Sequence, residues 1–164
     1  MPSPRTHRLP RIALAAAAGL FVVGFFAAPL WRAAGWWGPD VCFGGLCHQM
    51  PERSLGWPLG IWAVCARCAG LYLGGFAALL AAVPFGPRGT RGWGPRLFLF
   101  AVAPTAIDAL LGIAGLPQLG SVGRFVLALP AGFVCGGFLS IGFEDLLTGG
   151  RVWPRWGDVR GGVE

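Results

Sequence analysis

The sequence predicts an all-α, polytopic membrane protein with four transmembrane helices and both termini in the cytoplasm. Three observations lead to this fold class. The 164 residues are 55% hydrophobic and only 12% charged, whereas soluble domains carry about 25% charge. Four long apolar runs are separated by polar segments. The arginines that flank these runs are distributed unequally between the two sides of the membrane.

The first helix is predicted over residues 12–30, after a basic tail at residues 1–11. Nineteen residues at about 1.5 Å each just span the hydrocarbon core. A basic tail before an apolar run also describes a secretory signal peptide. Because the run is long and no clear cleavage site follows it, we favour a retained helix.

The membrane domain continues to residue 148, with further helices predicted over residues 59–85, 97–116 and 125–147. The segment between the first two helices is a loop rich in Trp, Gly and Pro, and its tryptophans suit the membrane–water interface. Residues 149–164 form a second basic tail.

The positive charge sets the predicted orientation. All 13 basic side chains are arginines. Nine fall on one side if both tails and the loop after the second helix are cytoplasmic, and four fall on the other side. This asymmetry follows the positive-inside rule. It argues against nucleic-acid binding, because the arginines lie in short groups beside apolar runs, and it predicts location in a bacterial inner membrane with lipid as the main partner.

Two faces of small residues predict close helix packing. One lies on the second helix and one on the fourth: Ala66, Gly70, Gly74, Ala78 and Ala82, then Ala128, Gly132, Gly136 and Ser140. These faces pack either against each other within one chain, which we favour, or between two chains in a homo-oligomer.

Candidate metal ligands are concentrated between residues 47 and 68. Cys47, His48, Cys65 and Cys68 form a Cys/His set that suits zinc or another soft-ligand transition metal. Cys42 can replace His48 in this set or pair with Cys47. Because Cys65 and Cys68 form a CxxC motif, a thiol–disulfide redox pair is the alternative, followed by purely structural disulfides.

Two charged residues in apolar runs predict a polar interaction inside the membrane. Asp108 lies in the third helix and Arg67 in the second, at comparable depths from the outer side. Because an isolated carboxylate is costly there, our hypothesis is that the two form an ion pair; the alternative is that each snorkels or binds water separately. Both are candidate catalytic groups.

Other candidate site residues lie on the outer side. Glu52 is a third candidate catalytic group, and with Arg53 it forms either a solvated turn or an acid–base pair above the thiols. Arg124 begins the fourth helix, where it can bind lipid phosphate or a substrate anion, or anchor the helix.

The segments CHQMPERS and CARCAGLYLG resemble the signature of DUF2085, a family of uncharacterised bacterial and archaeal membrane proteins. Pro104, Asp108, Ser121 and Arg124 continue the resemblance, which covers roughly residues 40–140. Ala109 and the pair Leu129-Pro130 depart from it. The resemblance implies a small polytopic membrane protein. It implies no particular activity, because the function of the family is not established. It also implies that one site joins the cysteines to seven other residues: His48, Gln49, Arg53, Arg67, Tyr72, Asp108 and Arg124.

Three functions are compatible with this sequence. The first is metal binding at the outer membrane face. The second is a membrane thiol–disulfide oxidoreductase that passes electrons to a lipid-soluble quinone. The third is a small-solute transporter or assembly partner that uses Asp108 and Arg67 as a polar path. Nucleotide-binding and hydrolase motifs are absent from the sequence, and the sequence does not decide whether the protein is an enzyme.

Overall fold

A computed structural model describes residues 8–58, 60–85 and 95–148. Within these ranges the chain is mostly helical. The elements in chain order are α1 (Arg8–Phe26), α2 (Ala28–Ala33), α3 (Gly38–Gly44), a 3₁₀ turn (Pro51–Arg53), β1 (Ser54–Trp57), β2 (Gly60–Cys65), α4 (Ala66–Phe85), α5 (Pro95–Ile113) and α6 (Ser121–Thr148). The arginines of the loop after α4, except Arg96, and those of the C-terminal tail lie outside the described residues.

Three of the described helices are long and apolar enough to cross a membrane. The crossing segments are Leu9–Phe26 in α1, Arg96–Ile113 in α5 and Ser121–Phe143 in α6. The apolar segment Ala66–Ala82 of α4 is shorter. The prediction of a helical membrane protein is therefore confirmed, while the fourth span and the cytoplasmic termini stay predictions.

The predicted second helix begins later than residue 59, because a β-hairpin precedes it. β1 and β2 are antiparallel, with Gly56 opposite Ile61 and Ser54 opposite Cys65. The run from Ile61 to Val64 contains aromatic and β-branched side chains that favour a strand. A side chain at Gly56 would collide with the Gly60 carbonyl, 2.4 Å from the added Cβ. The helix therefore starts at Ala66, and Cys65 ends a strand.

The other predicted helices shift by a few residues. Residues predicted to form one helix, 12–30, divide between α1 and α2, because Pro29 in the first turn of α2 has no N–H to continue the α1 hydrogen-bond pattern. α5 and α6 begin two and four residues earlier than predicted, and α5 ends at Ile113.

The small-residue faces of α4 and α6 pack against each other. A Cβ added to Gly132 would lie 2.1 Å from the Leu71 carbonyl oxygen, and one added to Gly74 would lie 2.2 Å from that of Leu129. This is the internal packing that we favoured from the sequence. An oligomer through these faces stays a prediction.

An aromatic core holds the segment between α1 and α4, residues 27–65, against these two helices. We call this segment the outer loop after its predicted side of the membrane. Phe25 is fully buried, and Phe43 and Trp62 are nearly so. Phe21 makes edge contacts with Phe43 and Tyr72, each with ring centroids 4.9 Å apart. The core fixes β2 and the end of α3 beside the first turn of α4, where the cysteines meet.

Candidate functional site

Three cysteines meet where the outer loop joins α4. Cys47 is buried just after α3, Cys65 is the last residue of β2, and Cys68 lies in the first turn of α4. Their Sγ atoms all lie within 4.8 Å of one another. All five cysteines are free thiols in the structure, so the Cys42–Cys47 disulfide, one of the two alternatives for Cys42, is not formed there.

Hydrogen bonds stabilise negative charge on the cluster. The backbone N–H of Cys65 donates to the Cys47 sulfur, with 3.2 Å between the two atoms. The side-chain hydrogen bond from Cys68 lowers the pKa of the Cys65 thiol to about 5, against the opposing effect of burial. Hydrogen bonds from the Cys68 backbone and the Cys47 thiol add to this lowering. Cys65 is therefore a thiolate at neutral pH.

The lowered pKa predicts an unusual alkylation profile for Cys65. A thiolate is the reactive form, so iodoacetamide should modify Cys65 at a nearly constant rate from pH 8 to about 6, with the rate falling as the pH drops below about 5. Cys68→Ala removes the main hydrogen-bond donor. The pH at which the alkylation rate falls should therefore rise toward the ordinary thiol pKa of 9.0. Site-resolved mass spectrometry of chelator-treated protein measures both profiles. An unchanged profile in Cys68→Ala would rule out this hydrogen bond as the cause.

A cavity of about 320 Å³ opens beside the cysteines. It is lined by the three cysteines of the cluster together with other side chains of the outer loop and two helices: Leu46, His48, Met50, Arg53, Arg67 and Arg124. The cavity thus brings together most of the residues that the resemblance implies for one site. His48 is exposed and lines the cavity, but the group of ligand atoms described above contains the cysteines alone.

Asp108 forms ion pairs with Arg67 and Arg124, two of the arginines that line the cavity. Arg67 donates a hydrogen bond to the Asp108 carboxylate, so the predicted ion pair is present. Arg124 Nε lies 3.4 Å from the same carboxylate, and the Leu119 N–H donates to its other oxygen at 3.0 Å. Asp108 is only 4% exposed. The carboxylate therefore orients two guanidinium groups at the wall of the cavity.

Gln118 completes this network, and the sequence analysis missed it. Its amide nitrogen donates to the Asp108 carbonyl at 3.2 Å, and its amide oxygen accepts a hydrogen bond from Arg124. Gln118 sits in the loop between α5 and α6, ten residues after Asp108. A polar amide in an otherwise apolar turn was the available signal.

Gln49 has a structural role instead of lining the cavity. Its side-chain nitrogen donates to the Asp40 and Ala63 carbonyls, both at 2.9 Å, which ties α3 to β2. Gln49 also has a φ of 47°, a conformation that is uncommon for residues other than glycine. This turn directs the chain away from Cys47 and His48 toward the 3₁₀ turn.

A second tie, between Arg32 and Asp40, was also missed from the sequence. Arg32 Nε donates to the Asp40 carboxylate at 2.8 Å, and another of its nitrogens donates to the Ile61 carbonyl at 2.7 Å. The pair joins α2, α3 and β2. Opposite charges eight residues apart in a loop were the only sequence signal.

Two predicted site residues do not line the cavity. Glu52 is exposed, and among the described residues its one hydrogen bond is made by its backbone carbonyl, which accepts from the Ser121 hydroxyl at 3.4 Å. Tyr72 belongs to the aromatic core, with its ring centroid 6.1 Å from that of Phe25. The outer-loop turn around Glu52 therefore connects to α6 through its backbone, and Glu52 does not line the cavity.

The fold and the site together define a helical membrane protein with a thiol cluster beside an arginine-lined cavity. The chain belongs to DUF2085, a family described as "Predicted membrane protein", whose model matches residues 47–138. The matched region contains all three clustered cysteines, Asp108 and the three cavity arginines.

Two archaeal relatives are also similar to this chain. An uncharacterised protein of Methanothermobacter thermautotrophicus is 37% identical over 87 residues, covering 53% of this chain and 78% of the relative. An uncharacterised protein of Methanocaldococcus jannaschii is 30% identical over 125 residues, covering 70% of this chain and 80% of the relative. No solved structure matches this chain.

Proposed function

We propose that this protein binds a soft-ligand transition metal ion, such as zinc, through Cys47, Cys65 and Cys68. The observation that carries the proposal is the approach of the three Sγ atoms to within 4.8 Å of one another. Thiolate ligands select zinc, copper(I) and related ions over magnesium or calcium. A set of three protein ligands leaves one position of a tetrahedral ion for another ligand.

The donor set fits such an ion. Zinc–sulfur bonds of about 2.3 Å place tetrahedral ligand sulfurs about 3.8 Å apart, which is compatible with the observed upper limit of 4.8 Å. The N–H donated to Cys47 Sγ is the type of outer hydrogen bond that orients metal-bound thiolates. His48 lines the same cavity and is the candidate for a fourth ligand. A bound ion would supply Lewis acidity at the cavity wall.

The proposed location is the outer face of a prokaryotic cytoplasmic membrane. α4 has 20 residues, which is about 30 Å and matches the hydrocarbon thickness. With α4 as a fourth span, both termini lie on the side that holds nine of the thirteen arginines. We extend the bacterial inner membrane predicted from the sequence to archaeal cell membranes because the similar proteins come from archaea.

Metal analysis of purified protein tests the proposal. We expect about one equivalent of metal per chain in the native protein. Cys65→Ser should weaken the metal affinity at least tenfold, because loss of an outer-shell partner alone typically costs about 10–100-fold in affinity and Cys65 is a proposed ligand. Cys135→Ser is the matched control, since Cys135 is exposed on α6 and outside the cluster. Metal content should be unchanged in this control. Native protein that binds no metal after reduction and zinc addition would overturn the proposal.

The CxxC motif supports a second candidate function, thiol–disulfide exchange. The specific observation is the Cys65 thiolate hydrogen-bonded to the Cys68 thiol. Oxidation of the Cys65 thiolate and the Cys68 thiol to a disulfide releases two electrons and one proton. With a second proton taken from solvent, these convert a lipid-soluble quinone to a quinol. Metal-free protein with a reversible Cys65–Cys68 disulfide would favour this function. The transporter or assembly function gains no observation of its own, because Asp108 and Arg67 are paired with each other.

A further inference from the structure

The cavity beside the thiol cluster carries more positive than negative charge. Arg53, Arg67 and Arg124 all line it. Asp108 is the single carboxylate bonded to these arginines among the described residues, and it contacts Arg67 and Arg124. Arg53 is exposed and forms no ion pair with any residue that the structure describes. Three guanidinium groups therefore share one carboxylate.

The ion of the proposed function would not remove this excess. Three thiolates that hold a divalent ion contribute one negative charge in total, so one of the three guanidinium charges would remain uncompensated. The cavity is partly buried, and charges there are screened less than at an open surface.

Two of the arginines also have buried donors that make no hydrogen bond. The Nε atoms of Arg67 and Arg124 are buried and make no hydrogen bond with any described residue. Arg124 Nε lies 3.4 Å from the Asp108 carboxylate, which is an ion-pair contact without hydrogen-bond geometry. The Arg124 side chain is only 10% exposed. Buried N–H groups without an acceptor are costly, and Asp108 has already accepted hydrogen bonds from Arg67 and the Leu119 N–H. An anion in the cavity would bring further acceptor oxygens to both residues.

From this charge, these donors and the cavity volume, we infer that the cavity binds a phosphate group beside the thiol cluster. Guanidinium groups match phosphate oxygens through paired hydrogen bonds. A volume of about 320 Å³ lies at the lower end of small-molecule sites, so it accommodates a phosphate with a small esterified group. The phosphate comes either from a lipid headgroup or from a soluble phosphate compound. The phosphate site lies in the same cavity as the metal site of the proposed function, on which its location rests. Phosphate binding does not require the metal.

Binding measurements on the full chain, purified in a neutral detergent, test this inference. One probe is inorganic phosphate, measured by equilibrium dialysis. The other is phosphatidylglycerol in mixed micelles, counted by native mass spectrometry. We expect one saturable site for at least one probe. Saturation by inorganic phosphate assigns a soluble ligand, and saturation by the lipid alone assigns a headgroup.

Matched arginine variants locate the bound phosphate. Arg124→Gln and Arg53→Gln should each weaken binding about tenfold, since each removes a charged hydrogen-bond donor. Arg96→Gln is the control, because Arg96 is exposed on α5 and does not line the cavity. If Arg124→Gln fails to fold, the exposed Arg53 still supplies the test. Absence of saturable binding for both probes, or an equal loss in Arg96→Gln, overturns the inference.

Metal content measured on the same preparations separates the two proposals. Phosphate binding that depends on Arg53 and Arg124 in a protein without metal would overturn the metal proposal alone. Stoichiometric metal in a protein with no phosphate site would overturn the phosphate inference alone.

Discussion

Replacing Gly132 by alanine is expected to destabilise the protein by about 3 kcal/mol, at the upper end of the usual cost of overpacking. The added Cβ would lie 2.1 Å from the Leu71 carbonyl oxygen and 2.8 Å from the Leu71 Cα. Both are backbone atoms, so the contact cannot be relieved by a side-chain rotation. α4 and α6 must separate, and the separation also moves Cys68 on α4 away from Arg124 on α6. Denaturant unfolding in detergent micelles measures the loss.

Gly142→Ala is the matched control for this prediction. Gly142 lies in the same helix, and a Cβ added there would meet nothing within 4 Å. Because alanine favours helix over glycine by about 1 kcal/mol, this variant should be neutral or slightly stabilised. Equal stabilities for the two variants would show that the close approach of α4 and α6 is absent in the membrane protein.

The helices were predictable because apolar length and small-residue spacing are local sequence properties. The stripe from Ala128 to Ser140 indicated a packing face before any partner was known. The hairpin was missed because residues 59–85 form one apolar run in which a buried strand and a helix look alike. A strand forms over Gly60–Cys65 because Trp62, Ala63 and Val64 contact the outer loop, and these tertiary contacts are not visible in the sequence.

The site was predictable by residue type and only partly by arrangement. The cysteines, Arg67 and Asp108 stood out because thiols and charges are rare in an apolar chain. The sequence grouped His48 with the three cysteines as a metal ligand. Spacing alone could not show whether His48 joins them, because the neighbouring Cys47 is buried while His48 is exposed. Gln49, Gln118 and the Arg32–Asp40 pair act through tertiary contacts. No spacing rule identifies those contacts in advance.

Replacing Asp108 by asparagine is expected to cost about 3–5 kcal/mol, because it leaves two guanidinium groups without their shared counter-charge. The substitution keeps the shape of the side chain, removes its charge and replaces one acceptor oxygen by an NH₂ donor. Arg67→Gln should cost less, since Asp108 then retains Arg124 at 3.4 Å and the Leu119 N–H at 3.0 Å. Unfolding of the two single variants and the double variant, under the same conditions, gives the coupling energy between the two residues.

The double variant distinguishes an ion pair from two groups that are solvated separately. If the pair exists, Asp108→Asn should cost about 0.5–3 kcal/mol less in the Arg67→Gln background than in the native protein. Glu52→Gln is the control for loss of a carboxylate, and it should change stability by less than about 0.5 kcal/mol because Glu52 is exposed. Additive effects of the two substitutions would contradict the pair. A remaining cost for Asp108→Asn in the double variant reflects Arg124, so the size of that remainder measures how far the carboxylate fixes the second arginine of the cavity.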